Sequence, residues 1–165
     1  MKSTPYFIPF YLLVITLFIT GCSPSASKDE SVFRMSIKNE PPTLDWTLAT
    51  DSVSFTILTN IMEGLTQYDS ELNAKPAIAK KWEYSEDGQT ITFFLRNDVY
   101  WSDGKQVTAS DFEYSWKRLL APESAAQYAY FLFDIENASQ YNSGKITDPN
   151  KVGIRALAPD VLEVR

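Results

Sequence analysis

An uncharged apolar stretch near the start of the chain limits what the rest can fold into. Tyr6 to Ile19 covers 14 residues, follows the positive charge of Lys2 and is interrupted by Pro9. It is shorter than the roughly 20 residues that span a bilayer comfortably, and its pattern is typical of an export signal. Removing residues 1–21 from the 165-residue chain leaves 144 residues, a length that suits one domain with a substantial core.

A single cysteine ends this leader. Cys22 follows Ile19-Thr20-Gly21, and the four residues resemble the bacterial lipobox, in which cleavage leaves the cysteine at the new N-terminus with lipid attached. We therefore expect residues 1–21 to be a lipoprotein signal peptide and Cys22 to anchor the protein to a membrane. The alternative is an ordinary secretory signal with an incidental thiol. Residues 22–31, rich in serine and charge, predict a flexible linker before a folded part at 32–165.

Charge and composition exclude several classes of function. The chain has 15 Lys+Arg, 21 Asp+Glu, no His and one Cys, for a net charge of −6. This acidic balance, without a basic run, argues against a nucleic-acid partner. The missing histidines and the lone cysteine exclude the usual zinc ligand sets and the Ser-His-Asp and Cys-His nucleophile pairs. Only carboxylate chemistry stays open, and we expect no catalytic residue, metal or cofactor.

Hydrophobic spacing predicts three helices. They cover Asp51–Glu63, Thr108–Leu120 and Asp134–Tyr141. Asp51 or Ser52 is placed to cap the first helix, and Thr108 caps the second with Asp111 as its acidic partner. We assign Asp111 and Glu113 to a helix start and a solvated face rather than to acid/base catalysis.

Alternating patterns and turn residues predict the strands. We expect strands at Val32–Ile37 and Leu65–Tyr68, a polar turn over Asp69–Ala74, and hairpins built from Trp82–Tyr84 with Gln89–Leu95 and from Val152–Leu157 with Val161–Val164. Asp87-Gly88 and Asp103-Gly104 predict turns rather than ion sites, because no ligand loop surrounds them. The irregular order of strands and helices indicates a mixed α/β (α+β) class.

Aromatic residues are the remaining candidates for recognition. Trp82, Trp101 and Trp116 lie on predicted element faces, which favours core packing. Trp46 follows a double proline in an irregular segment, where it is equally suited to a lid on the core or to a binding wall. For Tyr128 the residues alone favour packing, although an apolar ring with a hydroxyl tip also suits recognition.

A series of short motifs then points to a known family. The strings are Glu40-Pro41-Pro42-Thr43-Leu44-Asp45, Glu63-Gly64-Leu65-Thr66-Gln67-Tyr68-Asp69, Pro76 to Trp82, Ser85-Glu86-Asp87-Gly88, Trp101-Ser102-Asp103-Gly104, Val107 to Phe112 and Tyr114-Ser115-Trp116-Lys117-Arg118. Each is weak alone, but their joint order and spacing resemble the family 5 extracellular solute-binding proteins, nearest the oligopeptide-binding branch. The resemblance extends from about Val32 to the last residue.

The resemblance implies a fold and an activity. The chain would be the N-terminal part of a two-lobed periplasmic-binding-protein-like fold (type II, cluster C), namely the start of lobe one plus the N-terminal subdomain. Such a protein is not an enzyme: it captures oligopeptides and delivers them to the permease subunits of an ABC transporter. We expect a monomer, lipid-anchored through Cys22 at the extracellular face of the cell membrane, or on the periplasmic side in a Gram-negative cell.

The resemblance also implies ligand-binding residues. The backbone groups of Thr50, Asp51 and Ser52 would pair with an extended peptide, and Tyr128 would line the same cleft. Relatives often have proline where this chain has Trp46, which leaves the course of the following loop open. Two alternatives remain: the same fold binding dipeptides, nickel complexes or oligosaccharides, and a surface lipoprotein for adhesion or peptide sensing without transport.

Overall fold

The computed structural model describes residues 32–165, and within them Ile37–Arg165 form one compact unit. Val32–Ser36 belong to a separate unit and are exposed. The strand predicted at Val32–Ile37 is wrong: these residues adopt no strand, because a strand requires a hydrogen-bonded neighbour and no described segment pairs with them. The signal peptide, Cys22 and the whole linker at 22–31 lie outside the described residues.

The described residues contain three α-helices and six strands. The helices are α1 (Ser52–Ile61), α2 (Ala109–Leu120) and α3 (Ala138–Asn142). The strands are β1 (Thr66–Tyr68), β2 (Ala74–Pro76), β3 (Ala79–Tyr84), β4 (Ile91–Leu95), β5 (Ile154–Ala158) and β6 (Val161–Val164). Short 3-10 turns lie at Pro122–Ser124, Ala129–Leu132 and Pro149–Lys151. The mixed α and β class is confirmed.

Four antiparallel strands form the main sheet in the order β3-β4-β6-β5. Both predicted hairpins are confirmed, and the second inserts β6 beside β4, so that Phe93 pairs with Trp82 on one side and with Leu162 on the other. The β1 strand is also confirmed. Its partner β2 begins inside the segment expected to be a turn, Asp69–Ala74, so that strand was missed.

Helix α2 covers one face of this sheet and closes the core. Leu95, Leu120, Ile154 and Leu162 are fully buried, and Phe112 and Trp116 pack partly buried against the core cluster. The Asp111 carboxylate accepts hydrogen bonds from the Thr108 N–H at 2.7 Å and from its hydroxyl at 2.9 Å, which confirms the predicted cap. The helix ends before Pro122, where the sequence predicted it.

The two Asp-Gly pairs are turns, as predicted. Gly88 and Gly104 have φ angles of +69° and +85°, which suit glycine. The Asp87 and Asp103 carboxylates accept hydrogen bonds from the N–H groups two residues on, at 3.1 Å and 3.0 Å. Within residues 32–165 no group of acidic, His or Cys side chains is arranged to hold a metal ion.

Two further predictions, on Trp101 and on the third helix, need correction. Trp101 is 43% exposed beside the turn at Asp103-Gly104 and is not a core residue, whereas Trp82 is partly buried against Phe93. The predicted helix Asp134–Tyr141 forms only as α3, because Asn137 adopts a left-handed conformation (φ +61°) that interrupts the helix before it.

Glu113 does not lie on a solvated face. Its carboxylate accepts hydrogen bonds from Lys117 at 2.5 Å and from the backbone N–H of Ala156 in β5 at 2.7 Å. The assignment to a solvated face was wrong because helical position alone does not show which strand packs beside a side chain. Asp111 does mark the helix start, as predicted.

Candidate functional site

The predicted binding segment lies directly before helix α1. Asp51 is the N-cap of that helix, and its carboxylate accepts hydrogen bonds from the N–H groups of Val53 at 3.0 Å and Ser54 at 2.9 Å. The hydrogen bond from the Ser54 N–H is the main reason that the pKa of Asp51 is lowered. Oδ1 of the carboxylate is thus engaged in capping the helix, and the expected role of this segment in binding rests on its backbone.

The backbone of the segment has unused hydrogen-bonding groups. Thr50 and Ser52 are exposed, and within the described residues their N–H groups donate to no protein acceptor. The Thr50 carbonyl accepts one hydrogen bond, at 3.3 Å, from the Tyr128 hydroxyl. Exposed backbone donors and acceptors of this kind pair readily with an extended chain.

The structure brings Tyr128 to this segment although 78 residues separate it from Thr50. Its ring stacks on Phe55 of helix α1, with the ring centroids 6.0 Å apart. Trp46 meets the other side of this cluster, edge-on to Phe55 at 5.7 Å, and is 45% exposed. All four sequence-predicted residues in the described part, Thr50, Asp51, Ser52 and Tyr128, therefore lie in one region.

A cavity of about 420 Å³ opens beside this region. Its lining is mostly apolar and includes Trp46, Phe55, Met62, Trp116, Tyr128 and Phe131. Trp46 lines this cavity together with Phe112 and Trp116, which also pack against the core. The volume falls within the range of about 300–1,000 Å³ that is usual for ligand pockets.

An ion pair behind the segment was not predicted from the sequence. The Arg118 guanidinium donates to both carboxylate oxygens of Asp45, with Nη1 to Oδ1 at 2.9 Å, and Nη1 also donates to the Thr47 hydroxyl at 2.9 Å. The hydrogen bond from Arg118 is the main reason that the pKa of Asp45 is lowered to about 2. Both residues belong to the quoted motifs, but no local pattern links residues 73 positions apart.

Known proteins resemble the chain over much of its length. It is 37% identical over 163 residues to the oligopeptide-binding protein OppA of Bacillus subtilis, covering 93% of this chain and 30% of that protein. It is 43% identical over 116 residues to the dipeptide-binding protein DppE of the same organism, covering 70% of this chain and 21% of that protein.

A solved structure has a similar fold. The substrate-binding domain of an oligopeptide ABC transporter from Bacillus anthracis superposes with a TM-score of 0.76 at 42% sequence identity, covering 79% of this chain and 25% of that one. The chain thus spans between a fifth and a third of the length of these relatives. The model of the bacterial extracellular solute-binding proteins, family 5, matches residues 73–165, more than half of the chain, and the chain therefore belongs to that family.

Proposed function

We propose that this chain is the N-terminal part of a lipoprotein that captures short peptides outside the cell and delivers them to an ABC permease. The observation that carries the proposal is the exposed backbone of Thr50 and Ser52, with N–H groups free within the described residues, beside the ring of Tyr128. A peptide backbone can pair with these groups whatever its side chains are, because main-chain donors and acceptors are common to all peptides.

The relatives support a peptide as the ligand. The two Bacillus subtilis proteins are named for binding oligopeptides and dipeptides, and the Bacillus anthracis structure is named as part of an oligopeptide ABC transporter. The apolar cavity lined by Tyr128 and Phe55 suits the side chain of a bound peptide better than it suits a polyhydroxylated sugar. We therefore place peptides ahead of oligosaccharides and nickel complexes.

The proposed activity is binding without bond cleavage. The groups at the site are backbone amides, aromatic rings and a carboxylate that caps a helix, and none of them is arranged as a nucleophile with a base. In this proposal, residues 32–165 contribute one wall of the site. Because a single wall leaves the ligand in water, high affinity requires the polypeptide that forms the opposite wall in a two-lobed protein.

Anchoring at a membrane is a separate part of the proposal. Cys22 after Ile19-Thr20-Gly21 would carry the lipid, and residues 23–31 would tether the domain to the outer face of the membrane. No helix among residues 32–165 has the length and apolar character needed to cross a bilayer. Changing Cys22→Ser should move the protein from the membrane fraction to the soluble fraction; retention in the membrane fraction would contradict lipid anchoring.

Titration calorimetry tests the ligand. The full-length protein that contains this chain, made without residues 1–22, should bind tri-alanine and tetra-alanine with one site per chain. Nickel chloride and maltotriose serve as the competing ligands. A flat titration with the peptides together with clear binding of nickel or the sugar would overturn the peptide assignment.

A further inference from the structure

We propose that Arg118 is a positioning residue for ligand binding: it fixes the turn at residues 45–49, so that the backbone of Thr50 and Ser52 is held ready for the ligand. The inference rests on the proposed function, since it assigns a role to a residue that touches the binding segment only through its neighbours.

The contacts of Arg118 carry the first step. Its guanidinium donates to both oxygens of the Asp45 carboxylate and to the Thr47 hydroxyl. Three donors in a planar fork match a carboxylate and an adjacent hydroxyl, and a lysine ammonium cannot reproduce that geometry. Arg118 therefore fixes both the position and the orientation of the start of the turn.

The turn itself links that contact to the binding segment. The Asp45 carboxylate also accepts the Thr47 N–H at 2.9 Å, and the Asp45 carbonyl accepts the N–H groups of Leu48 at 3.0 Å and Ala49 at 2.9 Å. Thr47 and Ala49 are buried, with 6% and 1% of their surface exposed, whereas the next residue, Thr50, is exposed. Thr50, whose N–H has no acceptor among the described residues, therefore directly follows a turn that Arg118 fixes.

Arg118 lies in a well-packed part of the fold. It lies in the last turn of helix α2, whose Leu120 is fully buried in the core, and its own carbonyl accepts a hydrogen bond from the Ser124 hydroxyl at 2.6 Å. Tyr128 follows along the same stretch of chain and holds the Thr50 carbonyl. Residues from one part of the fold thus hold both the turn at 45–49 and Thr50, the first residue of the binding segment.

The partial exposure of the Asp45 and Arg118 side chains favours a positioning role over a purely structural one. The Asp45 and Arg118 side chains retain 30% and 40% of their exposure, and pairs that remain partly solvated contribute little to global stability. A preorganised binding segment, in contrast, lowers the cost of ordering the protein when the ligand binds. Loss of the fork should therefore affect affinity more than thermal stability.

The experiment uses Arg118→Lys and Thr47→Val in the full-length protein, with Arg96→Lys as the matched control. Arg96 pairs with Asp98 at 3.0 Å, also at the surface, but its contacts do not involve the turn at 45–49. Three quantities are measured: the Kd for tri-alanine, the Tm without ligand, and the amide hydrogen exchange of Thr47, Leu48 and Ala49.

Arg118→Lys should raise the Kd about tenfold, because hydrogen bonds to a charged group are lost from the support of the site. Exchange at Leu48 and Ala49 should become faster, while the Tm stays within a few degrees of that of Arg96→Lys. Thr47→Val should give a smaller change in the same direction. An unchanged Kd with unchanged exchange, or a loss of affinity that only follows a large fall in Tm, would overturn the positioning role.

The two proposals fail in different ways. If the unmodified protein does not bind tri-alanine, the peptide assignment is contradicted, and exchange at Leu48 and Ala49 alone then decides whether Arg118 fixes the turn. If the unmodified protein binds but the Arg118→Lys protein binds equally well, the proposed function stands and the positioning role is wrong.

Discussion

The Glu113 carboxylate of helix α2 accepts a hydrogen bond from the backbone N–H of Ala156 at 2.7 Å. Ala156 lies on β5, an edge strand of the main sheet, next to the position where its pairing with β6 shifts register. Edge strands leave backbone groups unpaired, and such groups can pair with another chain. Glu113 therefore ties α2 to the sheet and satisfies one of the donors at this edge.

We expect Glu113→Ala to lower the free energy of unfolding by about 2 kcal/mol, because a partly buried N–H loses its charged acceptor. Glu113→Gln should cost less, since an amide oxygen can still accept from Ala156. Urea unfolding of the full-length protein, followed by tryptophan fluorescence, measures both. Equal stability of Glu113→Ala and the unmodified protein would show that this contact contributes nothing.

The lowered pKa of the Asp45 carboxylate predicts that the stability of the fold decreases at acidic pH. Its pKa is lowered to about 2, chiefly by the hydrogen bond from Arg118, so the folded state favours the charged form. The stabilisation from this pair should be fully present above the ordinary value near 3.8 and should disappear as the pH falls towards 2. Tm measurements across this window should show a smaller acid-induced decrease for Asp45→Asn. Identical profiles for both proteins would contradict this.

Gly153 should tolerate no side chain. A Cβ there would lie 2.6 Å from the carbonyl oxygen of Arg165 and 2.8 Å from the Cβ of Glu136. We expect Gly153→Ala to destabilise the fold by about 2 kcal/mol through overpacking. Gly104→Ala is the control: its φ of +85° costs about 1 kcal/mol, but nothing lies within 4 Å of the added atom. A smaller loss for Gly153→Ala than for Gly104→Ala in urea unfolding would contradict the packing.

Tyr128 should contribute to affinity through its ring and its hydroxyl. Tyr128→Ala removes the surface beside Thr50 and should weaken binding of tri-alanine by about tenfold, as expected for a buried aromatic contact. Tyr128→Phe keeps the ring and should have a smaller effect. Tyr84→Ala, at a 65% exposed position on β3, is the matched control and should bind like the unmodified protein. Equal affinities for Tyr128→Ala and Tyr84→Ala would argue against a ligand contact.

Local signals in the sequence predicted the elements that local interactions form. Asp51 and Thr108 cap helices, and the turn glycines mark hairpins, because these features involve neighbours within a few residues. The segment Val32–Ile37 failed for the opposite reason: an alternating pattern is compatible with a strand, but only a paired neighbour makes one.

The site was predictable only in part for the same physical reason. The family resemblance indicated Thr50 and Tyr128 separately. Their hydrogen bond joins residues 78 positions apart and is evident only in the folded chain. The ion pair between Arg118 and Asp45 gave no local signal, because the two residues lie 73 positions apart and no sequence pattern around either of them indicates the other. Contacts of this kind depend on how helix α2 lies relative to the turn at 45–49.

Amide hydrogen exchange at Thr50 and Ser52 tests the central claim most directly. In the full-length protein both N–H groups should exchange quickly without ligand, and saturating tri-alanine should slow them at least about tenfold as they pair with the peptide backbone. Exchange of the exposed turn residue Gly88 should not change. Equal rates at Thr50 and Ser52 with and without peptide, under conditions where calorimetry shows binding, would contradict the claim that this backbone segment holds the ligand.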